Sequence, residues 1–173
     1  MSKVAIVTDS TAYVPQKLVE QYQITVLPQV LIWGDETFRD GVDILPVEFY
    51  TRLEKATVMP STSQVTPAEF EKAFRELLAQ GHEILVITIS SLLSGTMDSA
   101  VQAKAALPGQ PIELFDSLTT SMAMGFQVLT AARAAADGAN LAECRAVAEA
   151  AREHTGMVVT VETLEFLHRG GRI

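Results

Sequence analysis

Three short, mainly apolar runs, two of them rich in β-branched residues, each end in a cluster of hydroxyl and acidic side chains. Residues 3–8 lead into Asp9, Ser10 and Thr11. Residues 83–89 lead into the hydroxyl-rich stretch from Ser90 to Thr96, and residues 112–115 into the stretch from Asp116 to Ser121. Between these runs, apolar residues recur three and four apart, which is the helical period. Strands that alternate with helices of this length need crossover connections, and those put helices on both faces of a parallel sheet. Such sheets bind ligands beyond the carboxyl ends of their strands, where all three polar clusters fall. The expected fold is therefore α/β, a mostly parallel sheet with helices on both faces.

Helix ends are legible from local chemistry. Pro15 and Pro46 suit first helical turns. Thr66, Pro67 and Glu69 spell a capping box ahead of Phe70, Phe74, Leu77 and Leu78, and Gly81 closes that helix. A helix should follow the hydroxyl stretch as far as Ala106, before Pro108 and Gly109. A long one should cover 121–136, with Gly138 just past its end. Asn140 with Glu143 caps another that runs to His154. Residues 24–33 read as an extended run broken by Pro28 and closed by a turn at Gly34. Residues 157–161 read as a last strand, followed by a helical segment at 164–168. At 173 residues the chain is long enough for one full domain and the start of a second.

Composition narrows the function classes. With 48% apolar residues but only 6% aromatic, the core of this 173-residue chain must be largely aliphatic. The opening MSKVAIVTDS reads as a first core strand rather than a signal peptide, and no run approaches the roughly 18 apolar residues of a membrane span. A single cysteine, Cys144, admits no internal disulfide and suits a reducing cytoplasm. A net charge of −8 without a basic stripe argues against nucleic acid as a partner. The three histidines and one cysteine show no metal-ligand spacing.

The hydroxyl stretch itself admits several readings. A nucleophilic Ser94 would sit in a strand-to-helix turn, but the glycine two residues before it in a nucleophile elbow is missing. His82 and His154 occupy ordinary helix-end positions. A phosphate loop would need the Gly-x-x-x-x-Gly-Lys pattern, which is also missing. Backbone N–H groups at the helix start could hold one small anion such as a carboxylate, or the serines could simply cap the helix. A second cluster adds weight to the anion reading. Of Ser61, Thr62, Ser63, Gln64 and Thr66, the helix cap needs only Thr66.

Taken together, these motifs resemble the DegV family, bacterial fatty-acid-binding proteins that act as acyl carriers for fatty acid kinase. The resemblance rests on Val7-Thr8-Asp9-Ser10-Thr11, Pro60-Ser61-Thr62-Ser63-Gln64 and Ser90-Ser91-Leu92-Leu93-Ser94-Gly95-Thr96 with Ser99-Ala100. Asp116-Ser117, Ser121-Met122-Ala123-Met124-Gly125 and the closing Arg169-Gly170-Gly171-Arg172-Ile173 extend it along the whole chain. Met97, Val65 and Ala123 depart from the family's usual residues without removing a hydroxyl.

The resemblance implies an N-terminal α/β domain over 1–153, then the first elements of an incomplete second α/β domain over 154–173. It also implies a lipid-binding protein with no catalytic residues, metal or cofactor of its own. Thr62 and Ser94 would bond the carboxylate of a long-chain fatty acid, with Arg172 near its charge. Ser61, Ser63, Gly95, Thr96, Asp9 and Ser10 would support them. Met122, Met124 and Phe126 would line the acyl tunnel. The partner would be the catalytic subunit of a fatty acid kinase, with transient contact to a membrane surface for lipid exchange. The competing expectations are a serine hydrolase acting on an acyl ester, and a non-binding fragment that self-associates through its last strand.

Overall fold

The structure, a computed structural model, describes residues 4–169 and 173, without the side chains of Phe166 and Arg169. Its centre is a four-stranded parallel sheet in the order β2-β1-β6-β7, built from β1 (Val4–Asp9), β2 (Thr25–Leu27), β6 (Glu83–Thr88) and β7 (Ile112–Asp116). From β1 the chain steps outward to β2, then returns across β1 to β6 and continues to β7. The strand order thus reverses between β1 and β6, the position where open α/β sheets form their ligand crevice.

The two-residue period of the strands sorts their side chains between two cores. Val4, Ile6, Leu85, Ile87 and Phe115 face α1 (Gln16–Tyr22), α5 (Ser121–Ala136) and α6 (Leu141–Glu153). Val7, Ile84, Val86 and Ile112 face Phe70 and Phe74 of α3 (Pro67–Ala79) and Ala100 and Ala103 of α4 (Thr96–Ala105). The registers Ile6↔Leu85 and Val7↔Val86 keep each set on one side. Full burial of a side chain such as Phe70 or Leu85 contributes roughly 1.5–3 kcal/mol, so the sheet is held from both faces.

The expected helix ends are present. Thr66 accepts from the Glu69 N–H while Glu69 accepts from the Thr66 N–H, and Asn140 and Glu143 do the same for α6. Gly81 and Gly138 take left-handed φ values of 83° and 94° just past α3 and α5, the conformation glycine reaches without strain. Helix α5 is apolar nearly all round because it is buried nearly all round. Its Gly125 lies so close to the turn Ser10–Ala12 that an added Cβ would stand 2.6 Å from the Ala12 carbonyl oxygen.

Two features differ from expectation. A second, antiparallel sheet in the order β4-β3-β5 comprises β3 (Val30–Trp33), β4 (Glu36–Arg39) and β5 (Ser61–Ser63). Helix α2 (Pro46–Leu53) covers it through Phe49 and Leu53 on Leu31 and Trp33, with Arg52 stacked 4.4 Å over the Trp33 ring and paired with Glu36. The run 24–33 is therefore two strands in different sheets, split at Pro28.

The second difference is at 157–161, which forms no strand. Among the described residues no other strand lies beside it, and backbone N–H and C=O groups make a strand only when a neighbour pairs with them. Val158 and Val159 are consequently exposed. The segment leads to the short helix α7 (Glu165–Arg169).

Candidate functional site

The switch between β1 and β6 is braced by a buried carboxylate. Asp9, the last residue of β1, accepts from the Ile89 N–H at 2.8 Å through one oxygen. Its other oxygen accepts from the Thr11 N–H at 3.0 Å and the Thr11 hydroxyl at 2.6 Å. Both its oxygens are thus engaged in bracing the strand ends.

Over this crevice lies the small antiparallel sheet, and between the two is a cavity of about 690 Å³, within the roughly 300–1,000 Å³ usual for small-molecule sites. One part of its wall is polar: Thr62, Ser63 and Gln64 from β5 and the residue after it, with Ser94 and Gly95 from the loop before α4. Another is apolar: Val30, Leu31, Ile44, Phe49, Ile89 and Leu93. Tyr13, Tyr50, Asp40, Thr120 and Met157 also contribute.

The two halves of the wall are joined by side chains. Gln64 Nε2 donates to the Gly95 carbonyl at 3.1 Å and to Ser99 Oγ at 3.0 Å. Beneath the cavity, Ser10 donates to Asp40 at 2.7 Å and accepts from the Gln29 N–H at 3.1 Å. Gln29 Nε2 in turn donates to Thr96 Oγ1 at 3.0 Å, and Thr96 meets Ser94 Oγ at 2.9 Å.

Asp40 is the one charged side chain on the wall among the described residues. Burial, then the nearby Asp40 and Tyr50, push the Tyr13 phenol above its ordinary value, so Tyr13 keeps its proton near neutrality. No histidine lines the cavity among the described residues, and Ser94 Oγ has Thr96 rather than a base beside it. Among the described residues no three His, Cys, Asp or Glu side chains are grouped to hold a metal ion, and no helix is long and apolar enough to cross a membrane. Cys144 is buried in α6, and burial pushes its thiol up, away from the reactive thiolate.

A family model described as "Uncharacterised protein, DegV family" matches residues 3–173. The chain belongs to the DegV family. A DegV domain-containing protein of Clostridium perfringens is 34% identical over 173 residues, covering 100% of this chain and 62% of that protein. Among solved structures, a DegV family protein from Thermus thermophilus, described by its fatty acid binding, superposes with a TM-score of 0.87 at 34% identity. It covers 99% of this chain and 61% of that one. A stearic-acid-binding protein from Eubacterium ventriosum superposes with a TM-score of 0.84 at 28% identity, covering 99% of this chain and 60% of that one. The DegV chain thus spans about three-fifths of the length of these relatives.

Of the residues singled out from the DegV motifs, Thr62, Ser63, Ser94 and Gly95 meet on one wall. Thr96 and Ser10 stand one hydrogen bond behind it, while Asp9 is the brace described above. Ser61 is exposed at the start of β5 and off the wall. Arg172 lies outside the described residues.

Met122, Met124 and Phe126 are not on this cavity's wall. Met124 is wholly buried in the core between α5 and the sheet, Met122 packs against that core, and Phe126 is exposed. A buried core helix and a tunnel wall both demand apolar residues all round, so the sequence pattern alone does not separate them. Gln29, Asp40, Tyr13, Phe49 and Tyr50 escaped the motif reading. The available signal for Gln29 was a polar residue just after Pro28 in an otherwise apolar extended run.

Proposed function

We propose that the DegV chain binds a long-chain fatty acid in this cavity, its carboxylate at Thr62 and Ser94 and its acyl chain along the apolar wall. The observation that carries the reading is a single cavity at the strand-order switch with hydroxyls on one part of its wall and aliphatic and aromatic residues on another. The fatty acids bound by the Thermus and Eubacterium relatives support it. Ser94 adjoins the N-terminus of α4, the positive end of the helix dipole, which favours an anion. Asp40 repels a carboxylate, which favours seating the head group on the Ser94 side.

Apolar burial dominates the affinity. Roughly fifteen methylenes at about 0.8 kcal/mol each give on the order of 12 kcal/mol. Two hydroxyl–carboxylate bonds at about 1.5–3 kcal/mol each chiefly orient the head group and offset its desolvation. The chain performs no chemistry on the lipid in this reading. It shields the acyl chain and presents the carboxylate, with Arg172 near its charge, to the catalytic subunit of a fatty acid kinase. Residues 154–173 begin a second domain that closes the cavity. The support for that boundary is Met157 on the wall beside the exposed Val158, Val159 and Val161.

The test is native mass spectrometry of purified protein for bound fatty acid, with affinities measured for Thr62→Ala and Ser94→Ala. Each substitution should weaken binding about tenfold or more, as loss of a charge-assisted bond predicts. Lipid-free protein, together with unchanged affinity in the double variant, would sink the assignment.

A further inference from the structure

We propose that Gln29 and Thr96 are positioning residues that turn Ser94 into an obligate hydrogen-bond donor toward the cavity. The head-group site would thereby select a carboxylate over an alcohol on the same chain. The inference rests on the fatty-acid reading above and specifies how its head-group end discriminates.

The argument is one of proton bookkeeping along a buried relay. The Gln29 main chain is clamped on both sides: its N–H donates to Ser10 Oγ at 3.1 Å, and its carbonyl accepts from the Asp40 N–H at 2.9 Å. From that fixed origin its amide donates to Thr96 Oγ1 at 3.0 Å. Both side chains are buried, so bulk water does not compete for the contact.

The Thr96 hydroxyl then has one proton to place. Ser94 Oγ is 2.9 Å away, in a contact where either hydroxyl could donate, and the Gln29 amide oxygen is 3.5 Å away; with the Gln29 amide already donating to Thr96 Oγ1, the relay assigns the Thr96 proton to the nearer acceptor, Ser94. Ser94 Oγ also accepts from the Thr96 N–H at 3.3 Å. In that assignment both acceptor sites of Ser94 are engaged from within the protein, and only its O–H remains for whatever occupies the cavity. A group held as a pure donor is matched by an ionised carboxylate, which only accepts. It offers nothing to an alcohol's own proton.

The experiment compares binding of hexadecanoic acid and hexadecanol to the wild-type protein, Gln29→Met, Thr96→Val and Ser94→Ala, each checked for folding by thermal melt. Methionine keeps the length of glutamine and removes its polarity, and Thr96→Val breaks the relay one link later if Gln29→Met fails to fold. Either variant should weaken acid binding about three- to tenfold, the range of one lost neutral hydrogen bond, and leave the alcohol within about twofold. In the Ser94→Ala background Gln29→Met should change acid binding by less than about twofold, because Gln29 acts through Ser94. Equal weakening of acid and alcohol, an undiminished Gln29→Met effect without Ser94, or equal wild-type affinity for both ligands would each overturn the relay. Wild-type protein that binds neither ligand would instead overturn the fatty-acid reading.

Discussion

Gly95 has an ordinary backbone, φ −74° and ψ 9°, so alanine could adopt its conformation. What alanine could not keep is the neighbour. A Cβ at this position would stand 2.4 Å from Gln64 Oε1 and 2.8 Å from its Nε2. Those atoms belong to the amide that joins β5 to the start of α4 through Gly95 and Ser99. Gly95→Ala should therefore expel Gln64 and separate the Thr62 side of the cavity from the Ser94 side.

Two hydrogen bonds at about 0.5–1.5 kcal/mol each are at stake, toward the low end because Gln64 is exposed and water replaces part of the loss. Alanine is also a poorer N-cap than glycine by about 0.5–1 kcal/mol. Together these give about 2 kcal/mol, or a melting temperature lower by about 4–8 °C for a chain of this size. The decisive assay is a double-mutant cycle in urea with Gln64→Ala. Once the glutamine is gone, Gly95→Ala should lower stability by only its N-cap share, under about 1 kcal/mol. If the two single effects add to within about 0.5 kcal/mol, the clash does not act through Gln64 and the reasoning fails.

Three further outcomes follow from the packing and charge. Gly125→Ala should destabilise despite a helix-propensity gain of about 1 kcal/mol, because the methyl meets the Ala12 backbone carbonyl, and such overpacking costs about 1–3 kcal/mol; a raised melting temperature would contradict this. Asp9→Ala removes the acceptor for Ile89 and Thr11 at the β1–β6 switch, and its urea midpoint should fall by the equivalent of about 3 kcal/mol or more; a midpoint within the error of wild type would contradict the brace. The Arg39 side chain and N–H hold the Asp43 carboxyl at about 2, below its ordinary 3.8. A carboxyl depressed on folding adds stability that is present above 3.8 and lost as pH falls through about 2. The effect is small for so exposed a pair, so carbon-detected NMR titration of Asp43 is the measurement, and a midpoint near 3.8 would refute the pairing.

Which parts of this DegV chain could be read in advance depends on how far apart the deciding residues lie. The caps at Thr66 and Asn140 were legible because the partner, Glu69 or Glu143, is three residues away. The parallel sheet was legible because burial on both faces demands continuous apolar runs such as 84–87. Strand β5 was not, since Ser61, Thr62 and Ser63 are all exposed and carry no apolar alternation. They are a strand only because β3 pairs with them, Leu31 opposite Thr62. The hydroxyl stretch before α4 marks the boundary between the two cases. Its serines and threonines admit a nucleophile, a cap or an anion donor when taken alone, because a hydroxyl both donates and accepts. In the proposed relay the residue that fixes the direction of donation is Gln29, 67 positions from Thr96, and it reaches the site only through the antiparallel sheet that local pattern did not reveal. A polar site of hydroxyls therefore has its location written in its own segment and its polarity written in the tertiary fold.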